Sequence, residues 1–233
     1  MPRRHGTRGA APPPAGPARG HLSESLLSRR RGGTVQRARV IAVKITDTDL
    51  PEVKILEPAR FGDARGFFSE SWNRRTLEAA GLSLPEFVQD NHSLSRQVGT
   101  VRGLHFQSPP HAQGKLVRCG RGRLMDVAVD ARRGSPNYGR WVAVELSFEN
   151  GRQLWVPEGF LHGFATLEPD TEIVYKCTDH YAPDCDGAVR FDSPELGIDW
   201  GLDLGEAVLS DKDRAAQAFG DFDSPFDYAP AAG

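Results

Sequence analysis

From about residue 41 onward the chain is a succession of short apolar runs, rich in β-branched residues and parted by Gly, Pro, Asn and Asp. Such runs predict antiparallel strands rather than helices. The clearest case is WVAVELSFENGRQLWVP: Val142, Val144, Leu146 and Phe148 alternate with polar or small residues, and Asn150-Gly151 offers the positive φ angles of a two-residue hairpin turn. Leu154-Trp155-Val156 then reads as the returning strand. Similar runs at 115–119, 124–131 and 171–178 are spaced as in a sandwich or jelly roll. Helix signals are few: residues 74–80, stopped by Gly81, and a C-terminal stretch from Ser210 to Phe219. No internal repeat is present.

Residues 1–40 break the pattern. They are rich in Arg, Pro, Gly and Ala, with little apolar content, and the sequence predicts a disordered basic arm. Two other readings stand beside it: an arm for nucleic acid or another anionic surface, disfavoured because no aromatic is interleaved with the arginines, and a start codon placed too early. The formal net charge of −2 hides this arm. Nine arginines against the single acid Glu24 give it +8, which leaves −10 on the body. The whole, 233 residues with 39% hydrophobic and 26% charged, allows one domain of ordinary size. We divide it into the arm at 1–40, a β domain at 41–205 and a C-terminal helical segment and tail at 206–233.

No apolar run approaches the roughly 18 to 20 residues of a membrane span, and no secretory signal pattern opens the chain. Cys119, Cys177 and Cys185, odd in number and without a CxxC pair, suit a reducing compartment and cannot build a cysteine zinc site. The sequence therefore predicts a cytoplasmic protein with no membrane partner.

Four clusters carry candidate chemistry. In RGLHFQSPPHAQGKLVRC, His105 lies on one strand and Lys115 opens the next, which brings an imidazole suited to proton abstraction near an ammonium suited to developing negative charge. The plain alternative is a surface His and Lys. Strict alternation puts Arg102 and His105 on opposite faces, so both line one site only if the strand ends or bulges there. In PEGFLHG, the spacing Pro157-x-Gly159-x-x-His162 is similar to the second cupin motif, whose His often binds metal. The first cupin motif needs His-x-His and then Glu, whereas this chain offers His105-Phe106-Gln107, so we expect the barrel without a metal. In TEIVYKCTDHY, Ile173, Tyr175 and Cys177 share one face, aiming Tyr175 inward as core or as a proton donor. In LSDKD, Ser210 and Asp213 make a capping-box-like start that by itself accounts for Asp213.

Taken in order, FGDARGFFSESWN, FVQDNHS, RGLHFQ, QGKLVRC, DVAVDAR, RQLWVPEGFLHGF, YKCTDHYAP, FDSPELGIDW and LSDKD resemble the dTDP-4-dehydrorhamnose 3,5-epimerases over about residues 50–215. The resemblance implies a mainly β cupin jelly roll, a homodimer, no cofactor, no nucleic-acid partner, and epimerisation of a dTDP-4-keto-6-deoxyhexose. It makes His105 the base, paired with Asp213, Lys115 the group that stabilises the enolate, and Tyr175 the proton donor on the other face. It assigns Arg65, Glu70, Gln89, Asp90, Asn91, Arg102, Lys115, His162, Asp186 and Lys212 to the substrate, with Phe68 and Tyr181 as aromatic contacts to the thymidine. Some of these, in the 61–73 region, are expected to reach across the dimer.

The chain departs from that family at His180, where a second Tyr is usual, and at Asp186, where Glu is frequent. Three alternatives accompany the 3,5-epimerase reading: a single-carbon epimerase, a non-catalytic nucleotide-sugar-binding cupin, and a metal-dependent cupin oxygenase.

Overall fold

The computed structural model describes residues 43–230, so the arm expected over 1–40 lies outside the described residues. In chain order the strands are β1 Val43–Asp47, β2 Lys54–Pro58, β3 Arg60–Asp63, β4 Gly66–Ser69, β5 Gln89–Ser95, β6 Val101–Gln107, β7 Lys115–Arg121, β8 Arg123–Asp130, β9 Trp141–Ser147, β10 Gln153–Val156, β11 Phe160–Thr166, β12 Thr171–Cys177 and β13 Asp186–Ala188. Two short α-helices accompany them, α1 Arg74–Ala79 and α2 Asp211–Arg214.

The strands form two sheets that face each other as a cupin jelly roll. Sheet I has the order β1-β2-β10-β7-β12-β5, and sheet II the order β13-β6-β11-β8-β9; β3 and β4 stand apart as a hairpin. Every ladder within them is antiparallel. The inner face packs Val117, Leu154 and Ile173 of sheet I against Leu124, Leu146 and Phe164 of sheet II. A second cluster covers the outside of sheet II, where Val127, Val129 and Leu161 meet Trp200, Phe219, Phe222 and Phe226. Strand β11 is consequently buried at every residue, which explains why FLHGFAT shows no alternation.

Two expectations need correction. The Asn150-Gly151 turn exists, with Asn150 Oδ1 accepting from Ser147 N (3.1 Å) and Arg152 N (2.9 Å) and Gly151 at φ +64°. It does not join a hairpin: β9 pairs with β8 in sheet II, while β10 pairs with β2 and β7 in sheet I. The turn is a corner between sheets, because the apolar faces of both strands point into the same core. The helix expected over 210–219 stops at Arg214. Beyond it Gln217 forms a parallel bridge to Val189, and Arg190 N donates to Gln217 O (2.8 Å), so the chain extends to pair with the sheet side. Residues 206–230 are not helical over most of their length, and their phenylalanines belong to the outer cluster of sheet II.

Candidate active site

The position of His105 depends on an irregularity in β6. His105 is opposite His162 on β11, but Arg102 is opposite Phe164, so β6 takes three steps where β11 takes two. The extra residue falls at Gly103, whose φ is +128°. Val101 and Leu104 both enter the outer cluster as a result, and the side chains of Arg102 and His105 are left on the inner side.

His105 Nε2 lies 2.6 Å from Asp213 Oδ1. Asp213 is buried at the start of α2, where Ser210 Oγ donates to its Oδ2 (2.7 Å) and accepts from its backbone N (3.1 Å). Ser210 thus caps the helix by itself, and the second carboxylate oxygen of Asp213 is given to the histidine. Burial works to raise the Asp213 pKa, but hydrogen bonds from His105 and Ser210 outweigh it and hold the carboxyl below its ordinary value.

Sheet I supplies the opposite wall. Lys115 opens β7 directly across from Cys177 on β12, and Tyr175 is opposite Asn91 on β5. Burial pushes the Lys115 ammonium pKa down; Cys177 and the carboxylates of Asp186 and Asp126 pull it back, while Lys212 pushes it further. Asp186 gives its ion pair to Lys212. Burial also raises the Tyr175 pKa, against the Asn91 hydrogen bond and the Arg102 charge, so the phenol stays protonated well into alkaline pH.

His105, Lys115 and Tyr175 line one cleft of about 180 Å³. Gln89, Asn91, Lys115 and Tyr175 come from sheet I and His105 from sheet II, while Tyr181, Asp186 and Lys212 stand at the rim. Tyr181 donates its hydroxyl to Asp186 Oδ2 (3.1 Å). Phe106, Gln107 and Gln113 complete the lining and were missed in the sequence, although Gln107 occupies the position where a metal-binding cupin would place a second His.

The remaining expected binding residues are not part of this lining. His162 is the cross-strand neighbour of His105 on the inner face of sheet II, buried, with Nε2 2.8 Å from Asp126 Oδ1. Asp90 alternates with Gln89 and Asn91 along β5, pairs with Lys176 (2.9 Å), and lines a neighbouring hollow with His92 and Arg118 that shares Asn91 and Tyr175 with the cleft. Arg102 bonds to Ser95 Oγ (3.4 Å) and Leu94 O (3.5 Å) beside the cleft. Arg65 and Phe68 are exposed on the β3–β4 hairpin, and Glu70 Oε1 accepts from Thr76 Oγ1 (2.9 Å) at the start of α1. Among the described residues no three His, Cys, Asp or Glu side chains group as a metal site.

A base held by a carboxylate, an ammonium and a protonated phenol, divided between two walls of one cleft, suit proton removal beside a carbonyl and proton return from the other side. The model of the dTDP-4-dehydrorhamnose 3,5-epimerase family matches residues 47–221. The chain belongs to that family. The dTDP-4-dehydrorhamnose 3,5-epimerase of Sinorhizobium fredii is 52% identical over 183 residues, covering 77% of this chain and 91% of its own. The crystal structure of the Legionella pneumophila 3,5-epimerase in complex with dTDP-4-keto-L-rhamnose shares 46% identity at a TM-score of 0.75, over 80% of this chain and 100% of that one. A 3′-monoepimerase from Streptomyces bikiniensis, in complex with dTDP-quinovose, is 34% identical at a TM-score of 0.67, over 74% of this chain and 86% of its own. No helix among the described residues is long and apolar enough to cross a membrane.

Proposed function

We propose that the protein epimerises dTDP-4-dehydro-6-deoxy-D-glucose at carbons 3 and 5 to dTDP-4-dehydro-L-rhamnose, as a step of dTDP-deoxysugar synthesis in the cytoplasm. The observation that carries this reading is the placement of His105 and Tyr175 on opposite sheets of one cleft that also holds Lys115. Carbons 3 and 5 both flank the carbon-4 ketone. His105 takes the proton from such a carbon, the C–H electron pair moves into the new carbon–carbon double bond, and the carbonyl electrons settle on oxygen as an enolate. The Lys115 ammonium stabilises that oxygen, an effect worth about 3 kcal/mol in a site sheltered from water. Tyr175 gives its phenolic proton to the opposite face of the carbon, which inverts it, and exchange with solvent restores both residues. Asp213 orients the imidazole and stabilises the imidazolium formed in the first step.

The nucleotide half falls to Gln89, Asn91, Tyr181, Asp186 and Lys212, with Arg102 beside them. Arg65 and Phe68 stand on a hairpin whose Phe61, Phe67 and Phe68 are all exposed, and this supports a homodimer in which a second copy brings its hairpin to the cleft. Three free thiols, Cys119, Cys177 and Cys185, agree with a cytoplasmic setting.

Incubation with dTDP-4-keto-6-deoxyglucose in D₂O tests the reaction. Deuterium at both carbons supports the proposal, and none at either overturns it. Deuterium at one carbon supports the single-carbon variant, which the likeness to the Streptomyces bikiniensis enzyme keeps in view. Sedimentation of the purified protein as a monomer would overturn the dimer.

A further inference from the structure

We propose that Gln107 is a positioning residue for nucleotide recognition, acting through the segment that carries Tyr181. This inference rests on the cleft being a nucleotide-sugar site. Gln107 is the last residue of β6 and is 4% exposed. Its Oε1 accepts from Ala182 N (2.9 Å), and its Nε2 donates to His111 O (2.6 Å) and His180 O (3.1 Å). Both amide hydrogens and the oxygen are engaged, and only this orientation of the amide faces two carbonyls with N–H and one N–H with oxygen.

Two of these bonds, from Ala182 N and to His180 O, tie the segment between β12 and β13 to the end of β6 on either side of Tyr181, and the third holds the loop that follows β6. The Tyr181 ring needs this support because it has little packing of its own, being 57% exposed. Its other holds are polar: Gln89 Oε1 accepts from Tyr181 N (2.9 Å), and the hydroxyl donates to Asp186. An aromatic ring presented on an anchored backbone is a ready stacking surface for a planar base, whereas one on a loose loop must be ordered when the ligand binds, at a cost in affinity. Gln107 lines the same cleft as His105, Lys115 and Tyr175, but its amide bonds only to backbone groups and to none of the three. It should therefore govern how tightly the nucleotide is held more than it governs the chemical step.

The test uses the full-length protein and two variants. Gln107→Glu is nearly isosteric and keeps the acceptor for Ala182 N, but it turns an oxygen toward the carbonyls of His111 and His180. Gln107→Met keeps length without polar atoms, and serves where the charged variant does not fold. Calorimetry with dTDP itself is expected to show about tenfold weaker binding for either variant, since the His111 and His180 carbonyls lose the donor that fixes the segment. KM for the nucleotide sugar should rise in parallel, and by a larger factor than kcat falls. Tyr181→Ala should weaken dTDP binding in the wild-type background, and by less than half that factor, on a logarithmic scale, when added to Gln107→Met.

Unchanged dTDP affinity in a folded Gln107 variant, or additive effects of Gln107→Met and Tyr181→Ala, overturns the inference. A fall in thermal stability and kcat with affinity untouched overturns it too, as a purely structural role. If wild type binds dTDP yet exchanges no deuterium, the epimerase reading fails while the affinity comparison still decides the role of Gln107. Wild type that does not bind dTDP overturns both.

Discussion

His105 and Asp213 are separated by 108 positions in the chain, yet the imidazole Nε2 and the carboxylate Oδ1 lie 2.6 Å apart. The contact spans from sheet II to the short helix that follows the barrel, so both must fold correctly before the base is oriented. The cap and the pairing can be separated by mutation. Asp213→Asn retains the backbone N–H that Ser210 caps but removes the charge that favours the imidazolium. It is expected to lower kcat by about 100-fold or more while the melting temperature moves little. Ser210→Ala, which frees Oδ2 and uncaps α2, is expected to cost about 1 kcal/mol of stability and a smaller part of kcat. Steady-state rates and thermal unfolding of the two variants check this, and an Asp213→Asn enzyme with normal turnover would reduce Asp213 to a structural residue.

Lys115 should set the alkaline limb of the pH profile of kcat. Burial lowers its pKa, and the neighbouring carboxylates, Asp186 among them, hold it up. Tyr175 is shifted the opposite way and remains protonated in the same range. The loss of activity at high pH is therefore expected below the ordinary lysine value of about 10.4. Asp186→Asn removes a negative charge that favours the ammonium, so the limb should move to still lower pH. A limb that moves upward, or stays in place, would show that another group controls it. Lys115→Met is expected to reduce kcat by about 100- to 1000-fold at every pH.

The barrel was legible in the sequence where one face is core and the other is not. Val142, Val144 and Leu146 alternate with partly exposed neighbours, as their burial shows. The pairing of β10 was not legible, because an Asn-Gly turn looks alike whether the next strand returns to the same sheet or crosses to the facing one. The C-terminal helix was overestimated for a related reason: Gln217 and Phe219 gain more from a bridge to Val189 and from the outer cluster than from another helical turn. At the site, His105, Lys115 and Tyr175 line one cleft and Asp213 bonds to His105, and the roles that the resemblance implies for them are part of the proposed function. Asp90 faces away from the cleft because it follows Gln89 by one residue on a strand, a parity the motif QDN does not display. Gln107 was overlooked because its bonds go to backbone groups, two of them 73 and 75 positions away.

A buried charge cluster away from the cleft should control acid stability. Asp130 is fully buried, with its carboxylate bonded to Arg132 Nε (2.9 Å) and Nη2 (2.6 Å) and to Ser135 Oγ (2.6 Å). Burial raises its pKa, but the hydrogen bonds from Arg132 and Ser135 prevail and leave it below the ordinary value. A folded-state pKa below the unfolded one means stability that is present above about 3.9 and lost as pH falls through the lower, folded value. Denaturant unfolding should thus show wild type weakening steeply below about pH 4, with a shallower dependence in Asp130→Asn. At neutral pH the same variant is expected to lose about 2 kcal/mol, because Arg132 loses its buried partner and keeps only its ion pair with Glu52 (2.9 Å).

Gly103 is where the fold and the chemistry depend on one atom. A Cβ built there would lie 2.6 Å from Gly163 Cα and 2.8 Å from His162 O, and the backbone φ of +128° is one that L side chains rarely adopt. Gly103→Ala must therefore force β6 away from β11 at the very step that brings Arg102 and His105 to the same side. Strain and overpacking together are expected to cost about 3 kcal/mol or more. Because the ladder shifts at His105 itself, activity should fall further than stability explains. Assayed well below its melting temperature, where it remains folded, the variant should retain a small fraction of wild-type kcat, with dTDP binding affected less. A Gly103→Ala protein that melts and turns over like wild type would mean that β6 accommodates a side chain there, and that the irregularity does not hold the base in place.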